Sequence, residues 1–361
     1  MTLPLHPLDP DLFARALPLL DDEWLTRDPE LAPVLPTVLA RNVGQDWHKA
    51  GTFRHHLVGV TRTLTVWQQP RDVRLLGLLH SVYGNAFVDL VKFDPAKERA
   101  RVREIAGESA EHLVYLFCTQ SRTQFVQKVL AHALEADGSL VLQKDGQDHV
   151  LTPYEVAAFI IVSMADTIEQ WFSWQDDIFS RFPDVQHRNQ KAHWAASLWP
   201  GPMRPSGRMV HQINGLAKAL QHPGLKDVLP RPPVFAHCTQ RLSAANEAAA
   251  TSLYWSVIQQ DQPLVDLDVA TGVLESAVRH NPWVGEPQMV LAQLYLSAGR
   301  ADDAARAATS ALQCFSGWGN AWDKRVQWDA WIAWTRILLQ SAQQGSWPAR
   351  LDKLNNLALK G

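Results

Sequence analysis

The sequence TPYEVAAFIIVSMADTIEQWF, residues 152–172, carries a helix pattern that organises the first part of the chain. Thr152 is a favourable N-cap, Pro153 fits the first helical position, and Glu155 completes a capping box. The following residues are apolar on nearly every side, so the segment is predicted to be the central helix of its domain. Asp166 lies within it, and a buried carboxylate requires a cation, a metal or several donors as partner. Asp166 is therefore the first candidate for a functional side chain.

Helical periodicity extends on both sides of this segment. Apolar residues spaced by three and four positions predict buried helices from Phe53 to Trp67, from Val73 to His80 after Pro70, and from Arg99 to Phe117. One small β-hairpin is predicted over Leu140–Leu151, because an Asp-Gly pair favours a tight turn. Strand patterns are absent elsewhere, so the fold class is predicted to be all-α.

The length of the chain predicts two domains. A sequence of 361 residues exceeds what one core usually supports. Proline and glycine punctuate the segment between residues 182 and 233, which favours a boundary near residue 245. The first predicted domain spans residues 1–245, with a helical core at about 46–180 and a looser helical extension at 181–245. The second spans residues 246–361.

The second domain contains a repeat with a period of 34 residues. Four alanines share this spacing: Ala270 with Ala304, and Ala277 with Ala311. Together with a turn at Ala298–Arg300, they resemble the tetratricopeptide repeat over about residues 251–318, although Ala292 stands where the family has a glycine. The resemblance implies an array of helix hairpins. Such a region favours binding of a protein partner, or self-association, through aromatic-rich helical grooves.

Composition excludes several classes of function. The 34 basic and 37 acidic side chains give a net charge of -3, so no excess of positive charge favours nucleic acid. The three cysteines are too far apart for a disulfide framework, which favours a reducing, cytoplasmic location. We expect neither secretion nor membrane insertion. The sequence has no phosphate-binding glycine loop, so no nucleotide cofactor is indicated. The 15 tryptophans are interpreted mainly as core fillers between helices.

Four segments, in a fixed order, carry the candidate chemistry. They are residues 53–60 with His56, residues 76–81 with His80, residues 102–114, and residues 164–166 with Asp166. Their order and spacing resemble the HD-domain superfamily, most closely its guanosine tetraphosphate hydrolase domains. The match extends over about residues 46–175 and implies an HD-like helical bundle.

This resemblance implies a metal centre. His56, His80 and Asp166 would be the metal ligands, and His55 and His132 are additional candidates. Imidazole nitrogens with one carboxylate suit Mn, Fe or Zn. Such an ion polarises a phosphoester and lowers the pKa of a bound water.

Ser81 departs from the superfamily pattern, in which an aspartate follows the second histidine and binds the metal directly. One interpretation is a metal-dependent hydrolase or HD-type oxygenase that acts on a small phosphorylated or oxidisable substrate. Its candidate catalytic residues are Ser81, Tyr83 and Arg54. Its candidate substrate-binding residues are Arg99 and Arg103, which belong to a cationic patch.

The alternative interpretation is a catalytically degenerate HD fold. The metal is then lost, and His56, His80, Tyr83 and Asp166 form a buried hydrogen-bond network in a scaffold or ligand-binding interaction protein. The string His-Ser-Val-Tyr-Gly at residues 80–84 also resembles an uncharacterised family of bacterial and algal proteins. That second resemblance implies no activity.

Overall fold

The structure is a computed structural model that describes residues 2–48, 51–84, 90–172, 203–235, 243–260 and 266–347. Within these ranges the chain forms fifteen α-helices, one short 3-10 helix and two hairpins of two strands each. The predicted all-α class is therefore confirmed. No helix in the described ranges is long and apolar enough to cross a membrane.

The helices are numbered in chain order. They are α1 (Pro10–Ala16), α2 (Trp24–Arg27), α3 (Leu35–Leu39), α4 (Phe53–Val66), α5 (Arg71–Leu79), α6 (Arg99–Ala106), α7 (Glu108–Thr119), α8 (Arg122–Leu130), α9 (Pro153–Glu169), α10 (Gly207–Ala219), α11 (Ala244–Ile258), α12 (Leu267–His280), α13 (Glu286–Ser297), α14 (Ala301–Trp318) and α15 (Trp328–Gln343). The strands are β1 (Trp47–His48), β2 (Gly51–Thr52), β3 (Leu140–Lys144) and β4 (Gln147–Leu151). The 3-10 helix spans Leu17–Leu20.

One compact unit, called here the site unit, comprises Pro18–Gln170 and His211–Thr239. At its centre α9 packs against α4 and α5, and α5 also packs against α7. Every residue of α9 from Glu155 to Asp166 is buried, as its all-round apolar pattern predicts. The predicted capping box is present, since Thr152 Oγ1 accepts from the Glu155 N–H and the Glu155 side chain accepts from the Thr152 N–H.

The predicted hairpin is confirmed in the same unit. Strand β3 pairs antiparallel with β4, with Lys144 opposite Gln147 at the turn end. Asp145 and Gly146 between them have φ angles of 52° and 76°. Positive φ at both central residues is the requirement of a type I′ turn, which explains why the Asp-Gly pair marks this turn in the sequence.

The predicted helix from Arg99 to Phe117 is wrong in one respect, because it consists of two helices. Helix α6 ends at Ala106 and α7 begins at Glu108. Gly107 between them has a φ of 90°, a conformation that a side chain at this position would strain. The uninterrupted apolar spacing concealed this break.

The second compact unit, called here the tail unit, comprises Met1–Leu17, Trp171–Val210 and Gln240–Gly361. Each of its helices α11 to α15 packs against the next, and a turn at Ala298–Arg300 joins α13 to α14. The four repeat alanines are all buried. The predicted hairpin of α13 and α14 is thus present, whereas membership of the tetratricopeptide family and the domain ranges 1–245 and 246–361 stay predictions.

Candidate metal centre

Three helices of the site unit bring the candidate ligands together. His56 lies in the first turn of α4, which Thr52 caps by accepting a hydrogen bond from the backbone N–H of His55. His80 is the C-cap residue of α5, and Asp166 lies near the carboxyl end of α9. The side chains of His56, His80 and Asp166 are only 4%, 2% and 7% exposed. The cluster is therefore shielded from bulk water.

The distances between the three ligand atoms fit a metal ion. His56 Nε2 lies 3.2 Å from His80 Nε2 and 3.2 Å from Asp166 Oδ1, and His80 Nε2 lies 3.8 Å from the same oxygen. The point equidistant from these atoms lies about 2.0 Å from each, close to the bond lengths of about 2.0 to 2.2 Å for zinc with nitrogen or oxygen. Across the described ranges, no other group of three His, Cys, Asp or Glu side chains brings its ligand atoms within 4.8 Å of one another.

Hydrogen bonds at the far side of each imidazole determine which nitrogen faces the centre. His80 Nδ1 donates to the backbone carbonyl of Gly77 at 2.8 Å. His56 Nδ1 donates to Glu169 Oε2 at 2.5 Å. A carbonyl oxygen and a carboxylate are acceptors, so each Nδ1 carries a hydrogen and each Nε2 is directed at the centre. Metal-ligating histidines are typically oriented by such partners.

Two side chains hold Asp166. Arg122 donates from a terminal nitrogen to Oδ2 at 2.7 Å, and Gln170 donates from Nε2 to Oδ1 at 2.9 Å. Burial alone would raise the pKa of Asp166, but the Arg122 guanidinium and the two histidines hold it well below its ordinary value. Asp166 is therefore an ionised ligand near neutral pH.

Each of the two side chains that contact Asp166 also has a polar atom without a hydrogen bond. Arg122 Nε and Gln170 Oε1 are buried and have no hydrogen-bond partner. Both atoms belong to the two side chains that contact Asp166.

Without an ion, the centre requires a proton. Two Nε2 lone pairs that face each other at 3.2 Å would repel, so a positive charge must lie between them. Burial disfavours a charge on His56, but the carboxylates of Glu169 and Asp166 outweigh it and raise its pKa to about 9. Burial lowers the pKa of His80 to about 4 against the opposing effect of Asp166, and the charge on His56 lowers it further. Between these two pKa values His56 is protonated and His80 is neutral, so the pair carries one extra proton.

Arg99, Arg103 and Tyr83 converge on a different acidic group. Glu111 on α7 is fully buried and accepts two hydrogen bonds from Arg99, at 2.7 and 3.0 Å. It also accepts one from Arg103 at 3.3 Å and one from the Tyr83 hydroxyl at 3.0 Å. Both arginines are therefore paired with a carboxylate, and a role for them in substrate binding stays a prediction, as does catalysis by Tyr83.

The other predicted site residues lie outside the three-residue cluster. Ser81 follows His80 directly and is buried. Arg54 and His55 are exposed in the first turn of α4. His132 is exposed after α8, with a φ of 57°. The additional ligand role predicted for His55 and His132, and the catalytic role predicted for Ser81 and Arg54, stay predictions.

The residues that surround the ligands were not predicted from the sequence. Glu169 and Gln170 follow Asp166 by three and four positions, a helical spacing that places them on its face of the helix. That spacing was the available signal. Arg122 contacts Asp166 across 44 positions of sequence, so no local pattern could reveal it.

One segment of the chain is similar to a known protein family. A family model described as "Domain of unknown function (DUF6817)" matches residues 37–122. This segment is similar to that family over the helices that carry His56 and His80, but the match ends before Asp166. No curated protein and no solved structure matches the chain.

Proposed function

We propose that His56, His80 and Asp166 bind one divalent ion, Mn, Fe or Zn, and that the protein is a metal-dependent enzyme. The observation that carries this proposal is the convergence of two Nε2 atoms and one carboxylate oxygen at 3.2 to 3.8 Å from one another. Two imidazoles and a carboxylate suit these three ions. Three protein ligands leave a coordination position open for water or substrate, as in catalytic metal sites.

The surrounding residues support a reaction on a small anionic substrate. When bound, the ion supplies a Lewis acid and lowers the pKa of a coordinated water. Arg122 keeps the Asp166 carboxylate ionised, and burial of the ligands limits competition from bulk water. Two carboxylates, one guanidinium and a divalent ion leave one net positive charge, which favours an anionic group such as a phosphate. A phosphorylated or oxidisable substrate is therefore proposed, with hydrolysis or oxygenation as the reaction.

Metal analysis of the purified protein tests the proposal. The protein is stripped with a chelator, reloaded separately with Mn, Fe or Zn, and analysed for bound metal per chain. One ion per chain is expected for the wild type and none for His80→Ala. His149→Ala, which removes a histidine of β4 outside the cluster, is the matched control and should retain the ion. A wild type that binds none of the three ions would remove the basis of the enzyme proposal.

Activity is tested on the loaded protein. p-Nitrophenyl phosphate and bis(p-nitrophenyl) phosphate report hydrolysis, and oxygen consumption with the iron form reports oxygenation. Turnover that depends on the ion and is lost in Asp166→Ala supports the enzyme. Turnover that survives in this variant argues against it.

A specific observation also favours a second candidate, a non-catalytic scaffold. The raised pKa of His56 and the lowered pKa of His80 let one extra proton complete the network of His56, His80 and Asp166 without an ion. The helix hairpins of the tail unit would then bind a protein partner or a second copy of the chain. Absence of ion binding, combined with a large loss of thermal stability in His80→Ala, would favour this candidate.

A further inference from the structure

We propose that Glu169 is the positioning residue of the metal centre, because it orients His56 so that Nε2 faces the ion. This inference rests on the proposed function. Glu169 Oε2 lies 2.5 Å from His56 Nδ1, within hydrogen-bond distance, and a carboxylate acceptor makes such a bond charge-assisted and strong. The bond fixes both the rotation of the imidazole and the nitrogen that carries the hydrogen.

The two histidine ligands differ in what orients them. His80 Nδ1 donates to the backbone carbonyl of Gly77, which precedes it by three residues on α5. His56 Nδ1 instead donates to a side chain from another helix, α9. A change at position 169 therefore removes the partner of His56 and leaves the partner of His80 in place.

Helix α9 supplies both a ligand and the positioning group. Asp166 and Glu169 are three residues apart, so one face of α9 carries both carboxylates. Asp166 reaches the Nε2 side of His56, at 3.2 Å, and Glu169 reaches its Nδ1 side. His56 is thus held between two carboxylates of one helix.

Gly59 provides the space through which Glu169 reaches His56. It lies three residues after His56 on α4 and is buried. A Cβ atom at position 59 would lie 2.9 Å from Glu169 Cγ, closer than real Cβ contacts. Since Cγ is in the middle of the side chain, Glu169 would have to move away to accommodate it. The lack of a side chain at position 59 therefore allows Glu169 to contact His56.

Zinc affinity, measured by competition with a chromophoric chelator, tests the role of Glu169. Glu169→Gln keeps the size of the side chain and should weaken zinc binding about tenfold to a hundredfold, the usual effect of losing a partner of a metal ligand. Gly59→Ala leaves Glu169 intact but displaces it, and should weaken binding in the same direction. Glu104→Gln on α6 and Gly272→Ala, whose Cβ would meet nothing within 4 Å, are the matched controls and should bind zinc as the wild type does.

The hydrogen on His56 gives a readout that a merely structural role would not change. In zinc-loaded protein with 15N-labelled histidine, the wild type should show a protected Nδ1–H for both His56 and His80. In Glu169→Gln the His56 signal should shift or exchange rapidly, while the His80 signal stays unchanged. Equal shifts in both histidines would indicate general disturbance of the fold and overturn the inference.

The outcomes separate this inference from the proposed function. If the wild type binds none of Mn, Fe and Zn, the metal centre and the role of Glu169 both fail; if it binds Mn or Fe but not zinc, the affinity comparison is made with that ion. If the wild type binds zinc and both Glu169→Gln and Gly59→Ala bind it equally well, only the role of Glu169 fails. Should Glu169→Gln not fold, as judged by circular dichroism, Gly59→Ala decides alone.

Discussion

Metal binding is predicted to displace one proton from the centre. In the metal-free protein, His56 below its pKa carries a hydrogen on Nε2, which lies 3.2 Å from both His80 Nε2 and Asp166 Oδ1. This hydrogen lies on the side of the imidazole where the ion would bind. The pKa of about 9 for His56 and of about 4 for His80 mean that one proton is bound between these values. An ion bound by both Nε2 atoms must therefore release that proton across this range.

The size of the effect follows from the proton count. Release of one proton makes the apparent affinity rise about tenfold for each pH unit, or about 1.4 kcal/mol. This rise should continue from about pH 6 until the pKa of His56, at about 9, is reached, because the metal-free centre then loses its proton unaided. Above that value the affinity should become independent of pH.

Isothermal titration calorimetry with zinc measures this count directly. At one pH near 7.5, the binding heat is compared in buffers that differ in their enthalpy of ionisation, and the slope gives the number of protons released. We expect a slope near one for the wild type and for the control His149→Ala. A slope of zero, or an affinity that does not change between pH 6 and pH 8, would refute the protonated His56 of the metal-free centre.

Four further predictions follow from individual residues. In the metal-free protein, the raised pKa of His56 contributes stability that is fully present below about pH 6.5 and is lost as the pH rises through about 9. The lowered pKa of His80 costs stability as the pH falls from 6.5 to about 4. In Glu286→Gln, which lacks the opposing pH dependence of that carboxyl group, the melting temperature should therefore be highest near pH 6.5 and decline on both sides, and a flat profile contradicts the prediction. Asp166→Asn should abolish zinc binding and cost about 3 to 5 kcal/mol in chemical denaturation, because a buried guanidinium loses its carboxylate; a loss below 1 kcal/mol would disagree. Gly77→Ala should cost about 1 to 3 kcal/mol, since its Cβ would lie 2.3 Å from a leucine methyl of α4, and unchanged stability counts against this packing. Burial and a neighbouring carboxylate raise the pKa of Glu286 to about 8, so the wild type loses stability between about pH 4.5 and pH 8; Glu286→Gln removes that loss, and a melting difference independent of pH would contradict it.

Elements with a local chemical cause could be predicted from the sequence. The capping box of Thr152 and Glu155 places the start of α9, and the Asp145-Gly146 pair places the turn between β3 and β4. These features depend on residues within a few positions of one another. The break at Gly107 was missed because a glycine inside an apolar helical pattern is compatible with either a continuous helix or two helices.

The candidate site was predictable only in part, for the same reason. His56, His80 and Asp166 are marked by their residue types and order, and the structure places them in one cluster. The contacts of Arg122 with Asp166 and of Glu169 with His56 span 44 and 113 positions of sequence. They arise from helix packing, which the periodicity of each helix does not specify. The sequence also gives no indication that Arg99 and Arg103 pair with a buried glutamate.

Anomalous X-ray diffraction from crystals of the zinc-loaded protein locates the ion and identifies its ligands. We expect one strong anomalous peak among His56 Nε2, His80 Nε2 and Asp166 Oδ1, about 2.0 to 2.2 Å from each atom. A zinc-loaded crystal with no peak at this position, or with its ion bound elsewhere in the chain, would contradict it.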